Sequence, residues 1–245
     1  FQLYYQPQFY TQSEKLRGFE ALLRWYDEDL GWISPEQFVP LAEETHLVIP
    51  LGNWVLDTAL RTLSEWEQRF NFNGIMSVNV SPIQFCQEDF IPKFKKKIEF
   101  YKINTVHLEI EITEGVLIEN FENVINKLNE VKNLGVGISL DDFGTGYSSL
   151  RYLQMLPLTT LKIDKSFVKN IVNESDITEG ILSLVSKMGL DTIAEGVERE
   201  EQLEVLKKFN CKTIQGFLRG KPMPKNLCDR LLAGDLSAIL TINNS

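Results

Sequence analysis

Val106-His107-Leu108-Glu109-Ile110-Glu111-Ile112 is an apolar run interrupted by acidic residues. Phe121, Val124, Ile125, Leu128 and Val131 follow it at helical spacing. Gly135 suits the helix stop, and Val136–Leu140 is strand-like again. Apolar positions three and four apart mark one face of a helix, and a short apolar run marks a buried strand. Strand, helix and strand in that order make a βαβ unit with a parallel sheet.

The alternation extends both ways. Upstream, Gly18–Trp25 and Ile75–Val80 read as strands, with helices near Pro35–Glu44, Trp54–Phe70 and Phe90–Tyr101. Downstream, Thr160–Ile163, Thr192–Ala194 and a strand from Thr213 alternate with helices near Tyr147 and over Asp176–Met188, Glu200–Phe209 and Lys225–Leu232. The opening Gln2–Phe9 and Lys15–Phe19 suit a hairpin around Thr11–Glu14. About seven strands follow the opening segment, which predicts an α/β chain of the TIM type. The expected architecture is a (β/α)8 barrel with an irregular, partly antiparallel first strand. No GxGxxG turn supports a dinucleotide-binding sheet.

The 245 residues carry a net charge of −9 and are 43% hydrophobic, which suits one large acidic domain. We assign residues 1–240 to it and 241–245 to a loose tail. A chain beginning Phe1-Gln2-Leu3 in strand-like sequence reads as a piece cut from a longer protein. The acidic balance argues against a nucleic acid polymer as partner. No apolar run of about 18 residues predicts a membrane span. Three scattered cysteines suggest no disulfide framework, and a reducing cytoplasm is expected. With two histidines in the chain, any metal site must be built mainly from oxygen ligands.

Acidic and amide residues recur where the strands end: Glu20, Asn79, Glu111 with Glu114, Asp141-Asp142, Lys162 with Asp164, Glu195 with Glu198, and Gln215. Barrel chemistry sits at those C-terminal strand ends. Unpaired buried carboxylates cost several kcal/mol each, roughly, and Lys162 and Arg24 are too few to neutralise five or more of them. Divalent ions resolve the conflict, and all-oxygen ligands favour Mg2+ or Mn2+. Two ions roughly 3.5–4 Å apart clamp the attacking and leaving oxygens of a phosphodiester displacement. Each residue alone has a plainer reading: Glu20 as a paired strand residue, Asp141-Asp142 as a cap or Asx turn, His107 as a strand start.

The motifs, taken in order, resemble the EAL-domain family of cyclic-di-GMP phosphodiesterases in bacterial signalling. Glu20-Ala21-Leu22 with Arg24-Trp25 carries the signature. Asp141-Asp142-Phe143-Gly144-Thr145-Gly146-Tyr147-Ser148-Ser149-Leu150, Lys162-Ile163-Asp164-Lys165-Ser166-Phe167-Val168 and Ala194-Glu195-Gly196-Val197-Glu198 extend it. The resemblance runs from Tyr5-Gln6-Pro7 to Lys221-Pro222-Met223-Pro224. It implies hydrolysis of cyclic di-GMP to linear pGpG with two Mg2+ or Mn2+. Glu20, Asn79, Glu111 and Asp141 would ligate one ion. Asp141, Asp142 and Glu195 would ligate the second, with Glu195 also cast as general base. Lys162 would orient the water or stabilise developing charge. Gln6, Leu22 and Arg24 would contact the dinucleotide. Asp164, Glu198 and Gln215 would support the site, and Glu114 would brace the loop opening at Asp142-Phe143. The resemblance also implies a homodimer, an upstream sensory or GGDEF-type domain, and a cytoplasmic location, including that of the cytoplasmic part of a membrane-anchored protein.

Three segments depart from the family pattern. They are Tyr26-Asp27-Glu28-Asp29, His46 where glycine is common, and Leu218-Arg219-Gly220-Lys221. None removes a ligand, so activity is expected. The alternative is a catalytically weak receptor that acts through binding and dimerisation.

Overall fold

The structure, a computed structural model, describes residues 1–117, 121–144 and 150–235. Its strands are β1 (Gln2–Tyr10), β2 (Leu16–Asp27), β3 (Gly31–Ile33), β4 (Ile75–Asn79), β5 (Leu108–Thr113), β6 (Gly137–Phe143), β7 (Thr160–Ile163), β8 (Asp191–Ala194), β9 (Thr213–Gln215) and β10 (Met223–Pro224). From β2 through β4, β5, β6, β7, β8 and β9, each barrel neighbour is paired in parallel. β1 closes the ring antiparallel to both β2 and β9. The expected barrel with an irregular first strand is what forms. Two short strands join at the rim, β3 beside β2 and β10 beside β1.

The helices at Pro35–Glu44, Phe90–Tyr101 and Lys225–Leu232 have the expected bounds. Val48–Phe70 begins six residues before the expected Trp54 start, running through Pro50 and Gly52. A proline in a first turn forfeits no helical hydrogen bond, so it does not stop the helix. His107 is a correction of a different kind. It lies in a single helical turn, Thr105–His107, before β5 begins, and its ring contacts Glu67 at 2.7 Å. Short helical turns at Pro82–Phe85 and Lys165–Lys169 were not anticipated. The helix expected near Tyr147 is described from Leu150 to Met155; Tyr147 lies outside the described residues, as does the 241–245 tail.

Two shells make the core. Outward-facing strand residues such as Phe19, Met76, Ile110 and Ile138 pack beneath the helices, where Trp66 meets Tyr5 and Phe72 edge-on and Phe19 at a tilt. Alternate residues face the barrel interior. There the side chains are polar: Gln6, Gln8, Glu20, Ser77, Glu109, Glu111, Ser139, Thr160, Lys162 and Gln215 are all buried. A ring of backbone hydrogen bonds thus encloses a charged interior, and the function has to come from there.

Candidate active site

Parallel register gathers the strand ends on one mouth. Glu20 lies level with Ser77, Asn79 with Glu111, and Thr113 with Asp141. Lys162 rises from β7 into the centre and is 1% exposed. Its ammonium lies 2.7 Å from Glu111, 2.7 Å from Glu195, 3.2 Å from Asp141 and 3.4 Å from Glu20. Asp142 joins through its neighbours, since carboxylate oxygens of Asp141, Asp142 and Glu195 lie within 4.8 Å of one another. Asp142 has a left-handed backbone (φ 56°), and its N–H donates to Asp141 Oδ1 at 2.9 Å. That bond reaches only the next residue, so it is not an Asx turn.

Four carboxylates lie within 3.4 Å of one ammonium, with Asp142 beside them, an excess of acidic groups that divalent ions would offset. The protein's own groups compensate only in part. Burial opposes ionisation of Glu20, but Lys162 and the amides of Gln215 and Asn79 outweigh it and hold its carboxyl below the ordinary value. Burial and the adjacent Glu20 charge push Glu111 well above the ordinary value. Burial, only partly offset by Lys162, lifts Glu195 to about 7. Burial and the charges of Asp141 and Asp164 raise Asp142. Lys162 stays cationic because the surrounding carboxylates outweigh the cost of burying it.

The donor set fits hard divalent cations. Every group is an oxygen ligand or an amide. Among the described residues, Glu111 Oε1 and Glu114 Oε2 are buried with no hydrogen-bond partner. Orphaned carboxylate oxygens are costly, and a cation is their natural partner. Asn79 turns its amide nitrogen to Glu20 Oε1 at 2.7 Å, leaving its carbonyl oxygen as the atom that would ligate.

The remaining expected residues fall around this cluster. Gln215 donates to Glu20 Oε2 at 2.6 Å and to Gln6 Oε1 at 3.1 Å, while Gln6 donates to the Gly220 carbonyl. Glu114 accepts the Gly144 N–H at 3.3 Å, so it touches the chain just past Asp142-Phe143. Residues 145–149 of that loop lie outside the described residues. Asp164 caps the Lys165–Lys169 turn by accepting the Ser166 N–H. Glu198 is not brought into the cluster. β8 ends at Ala194, Gly196 turns the chain at φ 65°, and Glu198 is exposed, with its main-chain N–H donating to Gln202. Gln8 and Arg17 were passed over in the sequence. Gln8 could have been found, because it shares a strand face with Gln6 two residues away.

A cleft of about 600 Å3 opens beside the cluster, lined by Leu22, Arg24, Glu43, Asn79, Ser81 and Glu111. Arg24 also lines an adjoining open groove that carries Trp32, Phe217 and Lys221. Burial lowers the Arg24 pKa somewhat, yet an arginine remains charged, so one cation stands where cleft and groove meet. Of the departing segments, Asp27 forms the turn into β3, Arg219 pairs with Glu14 and Glu200 at the rim, and His46 has φ 58°. The last explains why glycine is common there.

Residues 1–222 match the family model described as EAL domain. The bifunctional diguanylate cyclase/cyclic di-GMP phosphodiesterase MucR of Pseudomonas aeruginosa is 39% identical over 94% of this chain, which covers 34% of that protein. The oxygen sensor protein DosP of Escherichia coli is 38% identical over 91% of this chain and 28% of its own length. The chain thus spans about a third of these relatives. Among solved structures, a MucR phosphodiesterase complex with c-di-GMP superposes with a TM-score of 0.88 at 39% identity, covering 92% of this chain and 93% of that one. The EAL enzyme Bd1971 in its cAMP and cyclic-di-GMP bound form gives 0.90 at 33% identity, over 96% and 64%.

Proposed function

The chain belongs to the EAL domain family, and from that membership and its acidic barrel mouth we propose that it hydrolyses cyclic di-GMP to linear pGpG with divalent Mg2+ or Mn2+. The observation that carries the reading is the excess of carboxylates around Lys162, with an oxygen of Glu111 left without a partner among the described residues, beside a cleft that presents Arg24. The names of the relatives, a cyclic di-GMP phosphodiesterase and a c-di-GMP complex, support the substrate.

Glu20, Asn79, Glu111 and Asp141 would hold one ion, and Asp141, Asp142 and Glu195 the second. Bound there, the ions would supply Lewis acidity and a more acidic water. Arg24 pairs with a phosphate of the dinucleotide, Leu22 lines the cleft, and Gln6 acts from behind it through Gln215. Water attacks phosphorus, forming a P–O bond as the bond to the 3′ oxygen breaks. The product carries a 5′ phosphate, and the leaving 3′ oxygen takes up a proton. Glu195 would accept the proton of the attacking water. Lys162 keeps the carboxylates converged and offsets negative charge as it builds on phosphorus.

The test is conversion of cyclic di-GMP to pGpG by the purified chain with Mg2+, followed by chromatography. Glu20→Gln and Asp141→Asn should each abolish turnover. Wild-type protein that binds the dinucleotide without metal-dependent turnover would instead be a receptor.

A further inference from the structure

A hydrogen-bonded file crosses the barrel from the acidic mouth to its opposite end. Gln215 donates to Glu20 Oε2 at 2.6 Å. Gln8 donates from its amide nitrogen to Gln215 Oε1 at 2.8 Å. Arg17 donates to Gln8 Oε1 at 2.5 Å and, through its other terminal nitrogen, to both oxygens of Glu109 at 3.0 and 2.9 Å. Ser77 and Thr160 complete Glu109 at 2.8 and 2.6 Å. All of these residues are buried, Gln8 completely.

The direction of the file is dictated by its two ends. A guanidinium can only donate, and an ionised carboxylate can only accept. Facing Arg17, Gln8 must present its carbonyl there and its NH2 to Gln215. Gln215 must then present its carbonyl to Gln8 and its NH2 to Glu20. The Glu20 end demands the same orientation independently. Neither amide can flip without placing two acceptors or two donors against each other.

The backbone supplies the arginine by an irregularity. Gln8 is level with Gly18, but Phe9 is level with Leu16, so Arg17 is an extra residue in β2. Such a bulge re-aims one side chain, and here it sends Arg17 inward beside Gly18 and not out to the helices with Phe19. Gly18 has no side chain to compete for that space, and a Cβ there would meet the Ile75 carbonyl at 1.9 Å.

We propose that Gln8, oriented by the bulged Arg17, is a positioning residue for the metal centre: it fixes the Gln215 amide so that Glu20 is held in its ligating orientation. This rests on the metal reading of the barrel mouth. Partners one step removed from a ligand typically change metal affinity by about 10–100-fold. Gln8→Met keeps the volume and removes both the donor and the acceptor.

Mn2+ binding to the metal-free chain, measured by calorimetry well below the melting temperature, should be at least about tenfold weaker in Gln8→Met. Cyclic di-GMP turnover should fall at low metal and recover as Mn2+ is raised. In wild-type protein, Mg2+ should also shift the side-chain amide NMR signals of Gln8 together with those of Gln215. A folded Gln8→Met that binds Mn2+ as tightly as wild type overturns the proposal and leaves the metal reading standing. Wild-type protein that binds neither Mn2+ nor Mg2+ overturns the metal reading and the proposal with it. If Gln8→Met does not fold, the NMR titration decides, and a Gln8 signal indifferent to Mg2+ overturns the proposal.

Discussion

Replacing Lys162 by methionine should make the protein depend on metal for its fold. The side chain is 1% exposed and its ammonium lies within 3.4 Å of four carboxylates. Methionine fills nearly the same volume, so the change removes charge and not packing. Removing one partner of a buried ion pair costs about 3–5 kcal/mol, because it strands the other charge. Here four are stranded, and proton uptake by Glu111 and Glu195, already favoured, relieves part of the cost. For a domain of this size roughly 2–4 °C accompanies each kcal/mol, so about 3–5 kcal/mol lowers the melting temperature by roughly 6–20 °C. Divalent ions should restore most of that loss, since a ligand that binds only the folded state stabilises it by mass action. Circular dichroism melts of both proteins, in EDTA and in millimolar Mg2+, measure the effect. A Lys162→Met protein that melts within about 2 °C of wild type in EDTA would refute the electrostatic account of this centre.

Three further outcomes are expected. Metal-free protein should lose stability as pH rises from 4.5 to about 7, because native Glu195 keeps a proton that the unfolded chain releases near 4.5; the penalty is absent below that window, complete above it and worth about 3 kcal/mol. Melts in EDTA across the window check this, and a flat profile counts against it. Ca2+ should inhibit hydrolysis in competition with Mg2+, since its looser and higher coordination displaces the reacting groups; full turnover with Ca2+ alone contradicts a tight two-ion site. Gly18→Ala should destabilise by at least about 2 kcal/mol, because its Cβ would meet Ile75 backbone atoms at 1.9–2.7 Å inside the β2–β4 pairing; urea unfolding with an unchanged midpoint would contradict that contact.

Much of the site was legible because barrel chemistry is local to strand ends. Asn79, Glu111, Asp141, Lys162 and Glu195 each stand at or near the end of a strand, while Glu20 lies mid-strand in β2, and the parallel order predicted from βαβ spacing gathers them at one mouth. Glu198 shows the limit of that reading. It sits in a motif with Glu195, yet the turn at Gly196 sends it to solvent. Arg17 shows the converse, since strict alternation from Phe19 and Glu20 would place it outside the barrel, and only the bulge brings it in.

By itself, the order of residues determined the repeating βα unit, the parallel direction of seven strands and the oxygen-only character of any metal centre. These depend on neighbours within a few turns of chain, where periodicity and residue type act directly. Tertiary structure alone decided that β1 also pairs with β9, that one lysine faces four carboxylates, and that Gln8 and Arg17 reach Glu20 through Gln215. Of these contacts, Lys162 with Glu111, Gln215 with Glu20 and Gln8 with Gln215 join residues 51, 195 and 207 positions apart. They arise from register and closure, which depend on the whole barrel forming at once.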